Sequence, residues 1–389
     1  MKQVLSFAAA LLALAGASSQ AQTSQGVSKN EIVLGSIQDL SGPIAGFGKQ
    51  VRQGMLLRVD ELNEQGGING RKIKLLIEDS AYDPKKAVLA AQKLVNQDKI
   101  FAMVAHIGTP TNNAAMPVQF EKNVINFFPV TAAREMTEPV HKLKFAGGSS
   151  YYDQMRVALP RLIKDKGAKK ICTIYQDDEF GLEVFRGAEA GLKAVGMDFT
   201  EKTTYKRGAT DFSSQVARLK AASCEMVVLG TVIRESIGVI GESRKTGFNP
   251  VFLGTNAAYT HLIPALGGRA MDGLYATHTA QHPYLDESSQ PIRFWALKYK
   301  TRFGEDPAIF SIYGYIAVDA FIKGASKAGP TLNPDTFVKA MDSVTIPPDI
   351  FGSPEMSFGP AKRLGSNVSR LSQIQDGRWR VVEDYSKGN

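Results

Sequence analysis

FAMVAHIGTPTNNAAMPVQFEKNVINFFPVTAAREM, from Phe101 to Met136, is the stretch that decides the fold. It opens on an apolar run, Phe101 to Ala105, that breaks at His106-Ile107-Gly108 and predicts a strand. Thr109-Pro110 follows, with Ala114, Ala115, Val118 and Phe120 behind it at helical spacing. Thr109 is expected to cap that helix. Pro110 suits its first position, where the missing N–H has no partner in any case. A second apolar run, Val124 to Phe128, ends at Pro129-Val130-Thr131-Ala132. Strand, helix and strand in this order make one unit of a parallel α/β sheet. Both strands stop in short loops of Gly, Thr and small residues. Such loops lie at the carboxyl edge of the sheet, where helix N–H groups and the Thr109 hydroxyl can hold a carboxylate or another polar head group. The pattern points to capture of a small ligand without chemistry.

Toward the N-terminus the same grammar continues. Residues 31–40 form a strand ending in Ser41-Gly42-Pro43; Phe47-Gly48 follows, then a helix from Gln50 to Glu64 that Gly66-Gly67 stops. Lys72 to Glu78 is a strand, and Pro84 opens the helix leading to Phe101. After Ala146-Gly147-Gly148 the pattern restarts: strand Lys170 to Tyr175, a polar Asp-Asp-Glu loop, Phe180-Gly181 opening a helix, and strand Met197 to Tyr205. A helix from Asp211 through Leu219 and an apolar strand, Glu225 to Gly230, complete the repeat. Phe47 and Phe180 are its matching points, so the chain predicts two similar, doubly wound α/β lobes. Helix Glu235 to Thr246, strand Val251 to Leu253, a loop at Thr255-Asn256 and a strand around Leu274 to Thr277 come next. Helices then follow at Phe294 to Phe303, Ile312 to Ala328 and Asp335 to Val344, the last capped by Asn333, before strands joined by Asp376-Gly377. Each lobe is expected to use late segments: 22–146 with about 276–369 in one, 147–275 with about 370–389 in the other.

The 389 residues suit two such lobes, and 43% hydrophobic with 22% charged residues is a globular balance. Residues 1–21 carry one Lys, an apolar run from Val4 to Ala15 and Ser19-x-Ala21, which predicts an export leader cleaved after Ala21 and a periplasmic location. No Cys follows the apolar run, so a free rather than lipid-anchored form is expected, and a monomer. The formal charge of +8 is spread over scattered Lys and Arg, which argues for solvated faces and against a nucleic-acid partner. Cys172 and Cys224 both stand at starts of apolar strands. An exported protein can pair them, but side chains on neighbouring parallel strands are poorly placed for a disulfide, and two buried thiols are expected. His278 and His282 sit four apart beside Pro283 in a strand-like context, not as a helical metal pair. No G-x-S-x-G, H-E-x-x-H or Cys-x-x-Cys occurs, and the run ending in Gly48-Lys49 has Pro43 and Gln50 where a phosphate loop needs Gly and Ser or Thr. Neither a metal nor a cofactor is expected.

Ser41-Gly42-Pro43, Phe47-Gly48, Asn63 to Gly70, Asp79 with Asp83-Pro84, Thr210-Asp211-Phe212 and Asp376-Gly377-Arg378-Trp379 together resemble the leucine/isoleucine/valine-binding proteins. These are soluble receptors of ATP-binding-cassette importers. The resemblance covers the mature chain and implies the type I periplasmic-binding fold, a three-segment hinge, a ligand closed between the lobes and a membrane permease as partner. It carries ligand contact onto Phe47, Gly108, Thr109, Val130, Thr131, Ala132, Phe180, Val232, Tyr313 and Tyr315. Amino-acid binders of this family place a carboxylate after the strand matching Val251 to Leu253, opposite the ligand's ammonium; here Asn256 stands there. Arg234 would add positive charge to the cleft. The ligand implied is a small hydrophobic carboxylate, an acid lacking the ammonium in particular, with an amino acid or a neutral amide or carbonyl compound left open. A ligand-sensing subunit for a signalling receptor and an exported α/β hydrolase are the rival readings.

Overall fold

The computed structural model describes residues 24–387, so the leader expected over 1–21 lies outside the described residues. Both Phe-Gly points mark one device. β1 (Glu31–Gln38) runs into a turn in which the Asp39 carboxylate accepts from the backbone N–H groups of Ser41, Gly42 and Ile44, and α1 (Ala45–Glu64) starts there. A Cβ on Gly48 would stand 1.9 Å from the Asp39 carbonyl oxygen, so glycine alone lets the helix rise directly off the strand end. β6 (Ile171–Gln176) hands over to α5 (Glu179–Ala194) the same way. Asp178 caps α5 by accepting from Phe180 and Gly181, and a Cβ on Gly181 would stand 1.9 Å from the Gln176 carbonyl oxygen.

The first half continues with β2 (Lys72–Asp79), α2 (Pro84–Gln92), β3 (Ala102–Val104), α3 (Thr109–Glu121), β4 (Ile125–Phe127) and β5 (Lys144–Phe145). The second contains α4 (Tyr151–Lys166), β7 (Glu201–Tyr205), α6 (Ser213–Ala221), β8 (Met226–Gly230), α7 (Ile233–Lys245), β9 (Val251–Gly254), α8 (Leu262–Gly267) and β10 (Tyr275–His278). Then come α9 (Gln290–Phe303), α10 (Ile309–Ala328), α11 (Pro334–Met341), β11 (Thr345–Ile346), β12 (Met356–Ser357), β13 (Val368–Gln375) and β14 (Arg378–Lys387). Among the described residues the strands build a five-stranded sheet, β2-β1-β3-β4-β5, and a seven-stranded one, β14-β13-β10-β9-β8-β6-β7. The first is parallel throughout; in the second, β13 and β14 run antiparallel to their neighbours. No described helix is long and apolar enough to cross a membrane.

Late helices finish the first sheet's core. Phe127 of β4 meets Phe337 of α11 edge-on at 5.4 Å and Phe321 of α10 at 5.9 Å. α10 lies against α1 through reciprocal glycines, since a Cβ on Gly54 would stand 1.8 Å from the Ser311 oxygen and one on Gly314 2.2 Å from the Val51 oxygen. The chain passes between the sheets after β5, after β10 and after β12. The first and third passages run side by side: Ala146 N–H donates to Arg363 O (3.0 Å) and Gly365 N–H to Ala146 O (2.8 Å). Two doubly wound lobes on a three-segment hinge are therefore the architecture.

Four expectations need correcting. α1 starts at Ala45 rather than Gln50, because the Asp39 carboxylate closes the turn up to the Ile44 N–H and Ala45 N–H then bonds Gly42 O, so the helix begins as the turn ends. Thr109 is not a cap: Gly108, at φ +91°, holds the cap position of α3 with no side-chain bond, and Thr109 is the first helical residue. α4 was not expected, although Ser150 caps it through Asp153 N–H and Gly167 ends it in the left-handed region at φ +64°. Finally, Cys172 and Cys224 form a disulfide with Cα atoms 5.8 Å apart. β6 pairs Ile171 with Met226, the first residue of β8, so Cys224 lies outside the ladder, in the turn after α6. Freed from the sheet's side-chain alternation, it reaches Cys172.

Candidate functional site

Loops leaving the carboxyl ends of both sheets meet at one cavity, an empty space of about 1040 Å³ including the part open to solvent. The first sheet sends Phe47 after β1, Tyr82 after β2, Gly108 and Thr109 after β3, and Val130, Thr131 and Ala132 after β4. The second sends Phe180 after β6, Val232 after β8, Asn256 and Ala257 after β9, and Thr279 after β10. This is where parallel sheets bind ligands, because helix N-termini and strand-end loops converge there.

The β3 and β4 loops are held together beyond the ends of their strands. Gly108 N–H donates to Val130 O (3.2 Å) and Val130 N–H to His106 O (2.9 Å). Gly108 is obligatory twice over: its φ is positive, and a Cβ would press within 2.5 Å of the Tyr82 ring. Across this pairing the hydroxyls of Thr109 and Thr131 share one hydrogen bond of 2.6 Å, and Thr131 Oγ1 also accepts from Ala133 N–H (3.3 Å). Two hydroxyls carry two hydrogens and their mutual bond uses one, so one is left over. The Tyr151 phenol lies beside Thr131 and Ala132 and adds a further hydroxyl to this group. All three residues line the cavity, and burial raises the Tyr151 phenol above its ordinary range, so it stays a neutral hydroxyl. Near them, Thr109 and Thr111 N–H belong to the first turn of α3 and lack a partner within the helix. A neutral group of donors thus faces the cavity.

Rings form the rest of the wall. Phe47 and Phe310 stack at 3.7 Å, Tyr313 meets Phe310 edge-on at 5.4 Å, and Tyr151 meets Phe180 at 5.1 Å. Phe128, Ile316 and Met356 carry the apolar surface toward the hinge passages. Two arginines tie the lobes across the cavity's rim. Arg134, after β4, grips the buried Glu183 of α5 with Nε (2.9 Å) and Nη2 (2.8 Å) and lies over the Tyr152 ring of α4 at 3.8 Å. Arg207, after β7, donates to Tyr82 O and to Asp178, each at 3.0 Å. The lobes are closed.

Of the residues singled out from the sequence, Phe47, Gly108, Thr109, Val130, Thr131, Ala132, Phe180, Val232, Asn256 and Tyr313 line this cavity; Arg234 and Tyr315 do not. Arg234 is the second residue of α7, two residues beyond the inward Val232, and is exposed. Tyr315 faces the far side of α10, where its phenol donates to Glu61 Oε2 (2.7 Å). Phe310, one turn before Tyr313, was within reach of helical periodicity; Tyr82 and Tyr151 were hidden, the first in a turn and the second in the unexpected α4. His278 has no ring nitrogen free for a metal: Nδ1 bonds Ala280 O and Nε2 bonds Ser372 Oγ.

Comparison with known proteins agrees with the geometry. Residues 31–378 match the family described as periplasmic binding protein. The leucine-, isoleucine-, valine-, threonine- and alanine-binding protein of Pseudomonas aeruginosa is 26% identical over 307 residues, 79% of this chain and 81% of that one. Among solved structures, the fatty acid ABC transporter substrate-binding protein of Thermomonospora curvata superposes with a TM-score of 0.84 at 21% identity, covering 94% of this chain and 95% of that one. A solute-binding protein of an R. palustris ABC transporter, in complex with benzoate, gives 0.79 at 16% identity over 91% and 96%. With two α/β lobes hinged at three passages, a cavity at both sheet edges and a family match over most of its length, this chain belongs to the periplasmic binding protein family, whose members are solute-binding proteins and not enzymes.

Proposed function

We propose that the chain is the substrate-binding protein of an ABC importer of the branched-chain amino-acid type, closing on a small hydrophobic carboxylate or amino acid. The observation that carries this is the surplus hydroxyl hydrogen of the Thr109–Thr131 pair, offered beside the N-terminus of α3 into a cavity walled by aromatic rings. A carboxylate accepts there, and the apolar body of the ligand takes the space between Phe47, Phe310 and Phe180. A relative that binds leucine, isoleucine and valine, a structural neighbour from a fatty acid ABC transporter and another in complex with benzoate fit a site of this kind. In this reading residues 22–146 with about 276–369 move as one body against 147–275 with about 370–389. The leader is cleaved near Ala21, and the monomer delivers its ligand in the periplasm to a membrane permease. Arg134 and Arg207 bridge the lobes only when they are closed, so a ligand touching both lobes shifts the population toward closure.

A thermal-shift screen of the mature protein against leucine, valine, benzoate, 4-methylpentanoate and octanoate tests this. A ligand at a hundred times its dissociation constant adds about 2.7 kcal/mol of stability, which raises the melting temperature measurably. No shift with any compound of the panel contradicts the proposal.

A further inference from the structure

Among the described residues, the side chains that line the cavity include none that is charged. Of the acids near its rim, Asp178 pairs with Arg207 at 3.0 Å and Glu183 with Arg134 at 2.8 Å. A polar amide at the second lobe's wall is that of Asn256, whose backbone is held firmly. Its N–H donates to Gln154 Oε1 (3.0 Å), which also accepts from the Thr277 hydroxyl (2.7 Å), while Gln154 Nε2 donates to Ser149 O (2.7 Å). One fully buried glutamine therefore fixes the loop after β9 against β10 and the first hinge passage. The Asn256 side chain is not spent in this way: its Oδ1 is buried and has no partner. An amide left open toward a cavity offers an acceptor, two donors and no charge.

We infer that the ligand is a hydrophobic acid whose only charge is its carboxylate, and that Asn256 is the residue that selects against an amino group. This deepens the function proposed above and rests on it. The carboxylate has the surplus hydroxyl hydrogen and the positive end of α3. A hydroxyl, oxo or amide substituent finds a neutral partner in Asn256. An ammonium in the same enclosure faces no carboxylate, and burying it unpaired carries a large penalty. The aliphatic or aromatic character of the body is set by the ring-lined wall, which accepts either, so the test carries one series of each.

Titration calorimetry of the mature protein with two matched series decides the matter. One series is leucine, 2-hydroxy-4-methylpentanoate and 4-methylpentanoate; the other is phenylalanine, 3-phenyllactate and 3-phenylpropanoate. In at least one series the acids lacking nitrogen bind about a hundredfold more tightly than the amino acid. Asn256→Asp, checked for folding by its melting temperature without ligand, narrows that gap about tenfold or more, because it supplies the missing counter-charge. Should that variant not fold, the series on the unaltered protein decides alone. Leucine or phenylalanine binding as tightly as its nitrogen-free partners overturns the inference and leaves the carboxylate receptor standing. If no member of either series binds at millimolar concentration, the receptor reading falls and the inference with it.

Discussion

Thr109 and Thr131 show how a residue's role depends on what its hydrogen does. From sequence Thr109 reads as a helix cap, and a cap would have spent its hydroxyl on the backbone. In the structure Gly108 takes that position by adopting a positive φ, and the hydroxyl turns to Thr131 instead. Replacing both Thr109 and Thr131 by Val keeps the shape and removes the pair's hydroxyl donors. It is expected to lower affinity for the carboxylate ligand about tenfold to a hundredfold with little change in the melting temperature of the ligand-free protein. Equal affinities in calorimetry would remove the threonine pair from the site. His106, immediately before this loop, makes a second residue-scale prediction. Burial alone pushes its imidazole down to about 3 from an ordinary 6.5, and burial does the same to His278. Above 6.5 folded and unfolded chains are both neutral at these positions. Below it, the unfolded chain takes up protons that the folded one refuses, so stability declines progressively from pH 6.5 toward 3. At pH 5 each such histidine lowers stability by about 2 kcal/mol. Denaturant titrations at pH 7.5 and 5 measure the loss, and His106→Asn reduces the slope by one proton; an unchanged slope contradicts the assignment.

At the scale of elements, most of the chain was legible because parallel strands are buried apolar runs and glycine marks their turns. β8, with all five residues buried, is plain in the sequence Met226 to Gly230. The Phe-Gly repeat was visible too, and the structure supplies its cause in the two carbonyls that leave no room for a Cβ at Gly48 or Gly181. What stayed hidden depended on neighbours far along the chain. α4 mixes charges with an internal Pro160, so its apolar face is too irregular to announce a helix. Tyr315 and Tyr313 look alike as candidates, and only the rotation of α10 against α1 sends one to Glu61 and the other to the cavity. The disulfide escapes a sequence reading because the apolar run beginning near Cys224 suggests a strand start, whereas Cys224 occupies the turn before β8. It closes a loop of 52 residues, which in the chain-entropy view stabilises the fold by about 4 kcal/mol. Replacing both cysteines by Ala, or reduction, is expected to lower the melting temperature while ligand affinity holds, since neither residue lines the cavity. An unchanged melting temperature under reducing conditions would show that the bridge does not contribute.

For the molecule as a whole, closure is the act that matters, and its strongest tie is local. Glu183 is 2% exposed and bound twice by Arg134 from the opposite lobe. Glu183→Gln leaves each lobe's core untouched but removes the charge from this bridge. The closed state then loses ground to the open one, and apparent affinity falls about tenfold to a hundredfold through the smaller closed population. The ligand's carboxylate and ring-lined body act on the same equilibrium from inside the cavity. The direct measurement is small-angle X-ray scattering of the mature protein and of Glu183→Gln, each titrated with 4-methylpentanoate and with benzoate. Contraction of the radius of gyration on saturation, needing more ligand in the variant, is the outcome predicted. A ligand that binds by calorimetry and leaves the radius of gyration unchanged in both proteins would contradict capture by closing lobes.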